Sequence, residues 1–353
     1  MGSLVTSSIG TTNNGIPRLD TVAPRAALPG GELRFRGASL LPNGMRRPEV
    51  RFGSVAGSVL MSSDESVIVR VPEGAVSSEA SLARNGQVSN SLPVAIATPV
   101  SENLHCVGNP AVGAAGEIYA TFSGSRGDKV AVSVFKIEVG GIAKPLVRDL
   151  MNATGLALDR NGELYVSSRY EGNVHRVSPT GQMTLYAEGM GVATGMAFDR
   201  DQNLFVGDRT GTIFKIAPDR QIFVYATLEP SIAAYHLAIG PGGDLFVSGP
   251  TTSSNDCVHR VDAHGQVTVY YRGLGRPQGL AFDREGNLYV AASLRGQRGV
   301  VRITPGGEAN LEVSGQSIVG LAFAPGRSVI LATTDAVHHL AWNIAGMSLP
   351  PAQ

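Results

Sequence analysis

A histidine occupies an unusual position in the stretch AAYHLAIGPGGDLFVSGP, residues 233–250. The stretch is one copy of a recurring unit, and four other copies carry glycine where this copy carries His236. A neutral imidazole at such a position can accept a proton from water, which is general-base chemistry. Alternatively, the ring fills space in a channel and makes a structural hydrogen bond. We select His236 and Asp208 as the candidate catalytic residues.

The unit that contains His236 recurs six times, at spacings of 40–46 residues. Each copy predicts a strand, a tight turn of Asp, Gly and Asn, a second strand, and then a third and usually a fourth. Four short strands at this period are typical of a β-propeller, here with six blades. The last copy ends after AVHHLAWNI without an obvious fourth strand, so we expect residues 97–106 to complete it. The aligned copies are GNPAVGAAGEIYATFS (108–123), TGLALDRNGELYVSSR (154–169), TGMAFDRDQNLFVGDR (194–209), YHLAIGPGGDLFVSGP (235–250), QGLAFDREGNLYVAAS (278–293) and VGLAFAPGRSVILATT (319–334).

Polar residues cluster at two points of the repeat that a propeller brings to one rim, the start of each innermost strand and the end of each second strand. Four guanidinium groups at the second-strand ends would suit a carboxylate, a phosphate or a sugar acid, with Asp208 and Asp256 as counter-charges. Alternatively, these arginines pair with aspartates between neighbouring blades. The predicted substrate-binding residues are Asn109, Arg126, Thr154, Arg169, Thr194, Arg209, Tyr235, Asp256, Gln278 and Arg295.

Residues 15–97 precede the repeats and consist of short β-type runs separated by Gly, Pro, Asn and Ser. Alternation at Leu33 and Phe35, and at Val67, Val69 and Val71, predicts strands with one buried face, and therefore a small sandwich. The order IPRLDTVAP, PGGELRFRGASL, VRFG, VRVPEGA and NGQVSNSLPV resembles the IPT/TIG immunoglobulin-like domain. The resemblance implies an immunoglobulin-like spacer or interaction module.

The repeats of residues 98–345 resemble the NHL-repeat and gluconolactonase-like (senescence-marker-type) six-bladed propellers. That resemblance implies a divalent cation held by a Glu, an Asn and an Asp at the starts of inner strands, acting on a lactone or ester carbonyl. In this chain QG stands at residues 278–279 where the family has DG. The remaining alternatives are a calcium-like ion held by Asn109, Asp208 and Gln278, or no metal.

Composition limits the partners and the compartment. The 29 basic and 29 acidic side chains cancel, so no global field favours nucleic acid or an anionic membrane. Cys106 and Cys257 do not form a disulfide framework and are expected to be buried thiols. No apolar run reaches membrane-spanning length. The start lacks a signal peptide, so the protein is either cytosolic or exported with its signal removed; we expect an extracytoplasmic location.

The sequence therefore predicts an all-β protein, an immunoglobulin-like sandwich followed by a six-bladed β-propeller, whose ligand is a small molecule or a carbohydrate. Two functions remain open. The first is a hydrolase of lactones, activated esters or phosphotriesters that acts at the channel rim. The second is a non-catalytic protein that binds a carbohydrate, a peptide or a cell-wall fragment.

Overall fold

The computed structural model describes residues 15–42, 46–138, 141–253 and 256–347. Every regular element in these ranges is a β-strand. Contacts within the chain divide it into two compact units, residues 1–96 and 97–353. The described part of the chain contains no helix that is long and apolar enough to span a membrane. The start of the chain, on which the expectation of export rests, lies outside the described residues.

The first unit contains two sheets. Strands β1, β3, β7 and β6 pair in that order in one of them. In the other, β10 lies between β2 and β8, β4 pairs with β8 and β5, and β9 adds to β8. The strands are β1 (Arg18–Ala23), β2 (Ala26–Ala27), β3 (Glu32–Ala38), β4 (Glu49–Phe52), β5 (Val55–Ala56), β6 (Ser58–Ser62), β7 (Ser66–Arg70), β8 (Ser78–Arg84), β9 (Gln87–Val88) and β10 (Leu92–Ile96).

One apolar core lies between the buried faces of these two sheets. Leu33 and Phe35 of β3 and Val67 and Val69 of β7 are fully buried, while their neighbours in the chain are more exposed. They cluster with Leu82 of the other sheet. This period-two burial follows from the alternation of side chains across a strand, and it confirms the strands predicted from the sequence.

The second unit contains six four-stranded antiparallel sheets, which we name blades I to VI. Blade I holds β12 (Ala111–Val112), β13 (Ile118–Thr121), β14 (Val134–Ile137) and β15 (Ala143–Val147). Blade II holds β16 (Ala153–Leu158), β17 (Leu164–Ser168), β18 (Asn173–Val177) and β19 (Met183–Ala187). Blade III holds β20 (Ala193–Phe198), β21 (Leu204–Asp208), β22 (Thr212–Ile216) and β23 (Ile222–Thr227). Blade IV holds β24 (His236–Ile239), β25 (Leu245–Ser248), β26 (Asp256–Val261) and β27 (Val267–Gly275).

The remaining two blades complete the second unit. Blade V holds β28 (Leu280–Phe282), β29 (Leu288–Leu294), β30 (Gln297–Ile303) and β31 (Ala309–Ser314). Blade VI holds β32 (Ile318–Ala324), β33 (Ser328–Thr333), β34 (Ala336–Ala341) and β11 (Thr98–Glu102). The first strands, β12, β16, β20, β24, β28 and β32, each contact the next, and β32 contacts β12. A closed ring of four-stranded sheets is a β-propeller, and its innermost strands surround a central channel.

Blade VI is completed by a strand from the beginning of the unit. β11 pairs antiparallel with β34, with Thr98 opposite His339 and Glu102 opposite Ala336. Without β11, the backbone groups of β34 would form an open edge. The prediction that residues 97–106 complete the sixth blade is confirmed.

Repeated turn residues connect the inner strand of a blade to its second strand. Asp159 Oδ1 accepts hydrogen bonds from two backbone N–H groups of its turn, those of residues 161 and 163. Asp283 Oδ1 does the same with residues 285 and 287. An Asp that bonds its own backbone stabilises a tight turn, which explains why the sequence repeats DRNG-like segments. Aromatic rings then join neighbouring blades, as in the edge-to-face pair of Tyr165 and Phe198, with ring centroids 4.9 Å apart.

Glycines allow the six inner strands to meet closely at the channel. A β-carbon built on Gly155 would lie 2.2 Å from the carbonyl oxygen of Thr194, and one on Gly195 would lie 2.4 Å from that of Tyr235. Gly320 has the same relation to Gly108 O, at 2.4 Å. Such distances are too short for any side chain, so the backbones approach one another where only glycine fits.

We expect Gly155→Ala to destabilise the propeller by about 1–3 kcal/mol or more, because the added methyl group would overlap a backbone oxygen of the next blade. The matched control is Gly242→Ala, since a β-carbon there meets nothing within 4 Å. The control should change the free energy of unfolding by less than ~1 kcal/mol. The fluorescence of the single tryptophan, Trp342, followed during urea unfolding, gives the free energy of unfolding of each variant. Equal stability of the two variants would contradict the proposed crowding.

Candidate functional site at the propeller rim

Two polar residues stand where the other four blades have glycine at the channel. They are Asn109 in blade I and His236 in blade IV, and these blades lie opposite each other in a ring of six. His236 extends across the channel, since a β-carbon built on Gly108 of blade I would lie 3.7 Å from its Cε1. This distance agrees with the prediction that His236 projects into the channel. A functional role of either residue in a site stays a prediction.

Asn109 joins the inner strands of blades V and VI. Its Nδ2 donates a hydrogen bond to Leu280 O at 3.0 Å, and its Oδ1 accepts one from Leu321 N at 3.1 Å. The built β-carbon of Gly279 would lie 2.0 Å from the same Oδ1, so the amide fills the space that this glycine leaves. The structure therefore gives Asn109 a structural role, and its predicted role in substrate binding stays a prediction.

His236 is almost fully buried, with 4% of its surface exposed. Burial lowers the pKa of its imidazole from 6.5 to about 4, because desolvation disfavours the charged form. Within the described ranges no hydrogen bond joins its ring to the protein. The ring is therefore neutral near pH 7, and its nitrogens are not committed to a structural partner.

A cavity of about 10 Å³ adjoins His236. That is about the size needed for one water molecule. A lactone or a sugar cannot enter it, so a ligand would contact the rim while His236 contacts at most water. The cavity is lined by Val107, Gly108, Asn109, Thr154, Gly155, Leu156, Gly195, Met196, Ala234, Tyr235, His236 and Leu237.

Three predicted binding residues near the strand starts use their hydroxyl groups within the protein. Thr154 Oγ1 donates to Asn152 O at 2.8 Å, and Thr194 Oγ1 donates to Gly207 O at 2.8 Å. Tyr235 donates its hydroxyl to Glu229 O, and burial, with Glu229 and Asp208 nearby, raises the pKa of Tyr235 to about 12. These hydroxyls hold the strand starts in place, and ligand binding by them stays a prediction.

The two aspartates at the rim organise their own loops. Asp208 Oδ1 accepts hydrogen bonds from Val192 N at 2.9 Å and Thr210 N at 3.1 Å, while Oδ2 accepts one from the Thr210 hydroxyl. Asp256 Oδ1 accepts two hydrogen bonds from Thr251, and its buried Oδ2 has no partner. The expected pairing of these carboxylates with rim arginines does not occur within the described ranges, because the loops already occupy Asp208 and one oxygen of Asp256.

Three of the four predicted arginines lie near one another. The pKa of the half-buried Arg169 is lowered, first by burial and then by the positive charges of Arg209 and Arg126. Arg169 donates from Nη2 to Gly124 O at 3.3 Å, while its buried Nε has no partner. Arg295 is not part of this group. It lies in the turn between β29 and β30, with a positive φ of 51°, and is exposed.

Asn152, which is not among the residues predicted from the sequence, positions the loop that carries Arg126. Its Nδ2 donates to Gly124 O and Ser125 O, both at 2.9 Å, and its Oδ1 accepts from Gly127 N at 2.9 Å. Asn152 is fully buried and has a positive φ of 49°, a conformation that asparagine tolerates well. The repeat pattern does not mark it, because it lies between the first and second aligned copies.

Gln278 lies at a second cavity, of about 70 Å³, between blades V and VI. Arg276, Arg298, Ser293 and Ser317 also line this cavity. The space holds a few water molecules, and the structure places Gln278 there instead of beside Asp208. Its selection as a binding residue stays a prediction.

The residues at the channel do not fit a hard divalent cation. Such an ion needs about six to eight oxygen ligands, usually including carboxylates. The inner-strand starts offer no carboxylate, and both Asn109 Oδ1 and the Asp208 oxygens already accept hydrogen bonds from the protein. In the described part of the chain, no three His, Cys, Asp or Glu residues are grouped so that they could hold a metal. We therefore assign no step to a metal.

Solved structures share this fold at low sequence identity. A candidate gluconolactonase from a structural genomics consortium has a TM-score of 0.59 at 20% identity, over 72% of this chain and 94% of its own. The gluconolactonase XC5397 from Xanthomonas campestris gives 0.55 at 16%, over 70% and 89%. An auxiliary nutrient binding protein from Bacteroides ovatus gives 0.54 at 12%, over 95% and 99%. No protein-family model and no curated protein sequence matches the chain.

These matches define the class as a β-propeller, of the fold also found in gluconolactonases. At such identities the likeness concerns the fold alone. The match to the nutrient binding protein covers nearly the whole chain and therefore includes residues of both units.

We expect Asn109→Ala to lower the free energy of unfolding by about 2–4 kcal/mol, because a buried N–H and a carbonyl of two blades lose their partners together. Asn310, exposed on β31, provides the control, and Asn310→Ala should change stability by less than ~0.5 kcal/mol. Urea unfolding followed by Trp342 fluorescence measures both variants. If Asn109→Ala is as stable as its control, Asn109 does not join the blades.

The lowered pKa of His236 also predicts how stability depends on pH. Between pH 6.5 and about 4 the unfolded chain binds a proton at this residue and the folded chain does not, so stability falls as pH falls through this window. The contribution is of the order of ~3 kcal/mol, present in full above pH 6.5. The difference in unfolding free energy between the wild type and His236→Gln, measured from pH 4 to 8, should follow this curve. If the unfolding free energies of the wild type and of His236→Gln change with pH in the same way, His236 does not titrate as expected.

Proposed function

We propose that the propeller is a hydrolase of lactones, activated esters or phosphotriesters that acts at the rim of its channel. The observation that carries the proposal is the state of His236. Burial keeps its imidazole neutral, its ring makes no hydrogen bond to the described protein, and it adjoins a cavity of one water molecule. A neutral imidazole beside water is the arrangement required of a general base.

The chemistry of such a site follows from its charges. The imidazole would accept a proton from water as the water oxygen attacks the carbonyl or phosphoryl centre. Negative charge then develops on the substrate oxygen, and Arg169, with Arg126 and Arg209, supplies positive charge at the rim. A base with a pKa of about 4 is weak. It therefore suits strained or activated substrates with good leaving groups, not amides.

Two further observations support this proposal. The fold is that of proteins described as gluconolactonases, whose name gives lactones as the first substrates to test. Among the described residues, no three His, Cys, Asp or Glu side chains are grouped so that they could hold a cation, so the proposed reaction is assigned to His236 and the arginines.

For the first unit we propose an IPT/TIG-type immunoglobulin-like module, on the order of its sequence segments and on its two sheets around one core. A spacer or an interaction module is its proposed role. We propose an extracytoplasmic location and a small-molecule or carbohydrate ligand, with no nucleic acid or membrane insertion, in agreement with the balanced charge.

A second candidate function is binding without catalysis. It is favoured by the small cavity, which keeps any organic ligand away from the His236 ring, and by the hydroxyls that the strand starts already use. One neighbour with the same fold across 95% of this chain is described as a nutrient binding protein. The proposed ligand in this case is a carbohydrate, a peptide or a cell-wall fragment.

We expect the purified protein to hydrolyse at least one of a set of lactones, aryl esters and phosphotriesters, equally well with and without a chelator. His236→Ala should reduce turnover by roughly 10² to 10⁴, the effect of losing a general base. The rate of the wild type should remain level from pH 8 to about 5 and fall towards pH 4, as His236 becomes protonated.

The matched control is His264→Ala, which removes an exposed histidine from a turn of blade IV and should leave turnover unchanged. Melting temperatures of both variants separate lost chemistry from lost folding. Background rates with every substrate would refute the hydrolase and favour the binding protein.

A further inference from the structure

Blades I to III present three guanidinium groups at one part of the rim. Arg169 and Arg209 occupy equivalent positions, the sixth residues of LYVSSR and LFVGDR, at the ends of two successive second strands. Arg126 belongs to the loop that follows β13, and Arg169 reaches this loop through its hydrogen bond to Gly124 O. The three side chains therefore come from adjacent blades and share one region of the surface.

The charges of these three arginines have no carboxylate partner in the described part of the chain. No ion pair within the described ranges involves any of the three arginines. Asp208, beside Arg209 in the chain, is held by Val192 and Thr210. Glu171, two residues after Arg169, pairs with His175 instead, and Asp128, two residues after Arg126, forms no ion pair with these arginines within the described ranges. Like charges that are brought together repel one another; the pKa of Arg169 is lowered first by burial and then by the charges of Arg209 and Arg126. Such an arrangement has an energetic cost unless an anion offsets it.

Two buried polar atoms in the same region lack partners. Nε of Arg169 is buried and makes no hydrogen bond. Ser123 occupies the position in IYATFS that Arg169 and Arg209 occupy in their own blades, and its fully buried Oγ also has no partner. Buried polar groups are rarely left unsatisfied, so both atoms are open to an added partner such as water or a ligand.

The loop is held in a fixed conformation before any ligand arrives. Asn152 bonds the backbone of residues 124, 125 and 127. Preorganisation reduces the entropy lost on binding, because the loop does not have to be ordered by the ligand. Tyr170, 51% exposed, lies beside it, since a β-carbon built on Gly127 would be 3.5 Å from its ring.

We infer that Arg126, Arg169 and Arg209 form an anion-binding site on the rim, which takes the carboxylate or phosphate group of a small molecule. Guanidinium groups bind both oxyanions through paired, charge-assisted hydrogen bonds. The exposed ring of Tyr170 provides an apolar surface for the remainder of the ligand. The anion site does not depend on catalysis. If the protein is the proposed hydrolase, the site further implies that its substrate is acidic, and this last step rests on the proposed function.

Isothermal titration of the full chain with citrate and with inorganic phosphate, at low ionic strength, tests the site. We expect at least one probe to bind with a Kd of about 1 mM or tighter. Arg209→Gln, which changes an exposed residue, should weaken that binding by about tenfold or more, and Arg169→Lys should weaken it because lysine lacks the planar fork. The tighter probe identifies the type of oxyanion. The bound anion should also raise the melting temperature of the wild type more than that of Arg209→Gln.

Arg295→Gln is the matched control, because Arg295 is an exposed rim arginine outside the group. It should change the Kd by less than about twofold. If Arg295→Gln and Arg209→Gln weaken binding equally, the probes are attracted by the general positive charge and the proposed site is overturned. The site is also overturned if neither probe binds. Since titration needs no turnover, these failures differ from a failure of the hydrolase, which appears only in the substrate assays.

Discussion

The close approach of six backbones at the channel is the constraint on which the rest of the propeller depends. Four blades satisfy this constraint with glycine, at residues 155, 195, 279 and 320, where a built β-carbon would lie 2.0–2.4 Å from the nearest atom. The two blades that depart from glycine lie opposite each other, so one amide and one imidazole share the space that remains. The channel is consequently narrow at this level, and any organic ligand must be recognised at the surface above it.

That narrowness divides the electrostatics of the propeller into two regions. Inside, desolvation disfavours charge, which is why the imidazole of His236 is neutral. At the rim, three guanidinium groups lie near one another and none of them pairs with a carboxylate in the described part of the chain, so their positive charges remain available to an anion. A reaction that needs an uncharged base and a cationic surface for its developing anion is compatible with this division.

The sequence was informative where chemistry is local. The repeated strand, tight turn and second strand predicted the six sheets, because each copy encodes its own hairpin. It was not informative where contacts join distant residues. Asn109 bonds residues 280 and 321, far along the chain, so its role cannot be seen in its own repeat. Three of the arginines converge and Arg295 does not, and this difference depends on loop conformations. Asn152 fixes the loop that carries Arg126, while Arg295 itself adopts a left-handed conformation in its turn.

The pairing of β11 with β34 has a consequence for biosynthesis. The outermost strand of the last blade leaves the ribosome first, and its partner follows roughly 240 residues later, which corresponds to about 10–50 s at typical elongation rates. Throughout that interval the ring cannot close, and the free edges of the early blades are exposed to other chains. The first unit has its own core and all of its strands by residue 96, so it can fold during this delay. A nascent chain of this design therefore carries one domain that can fold early and a second domain whose ring stays open until its final strand emerges.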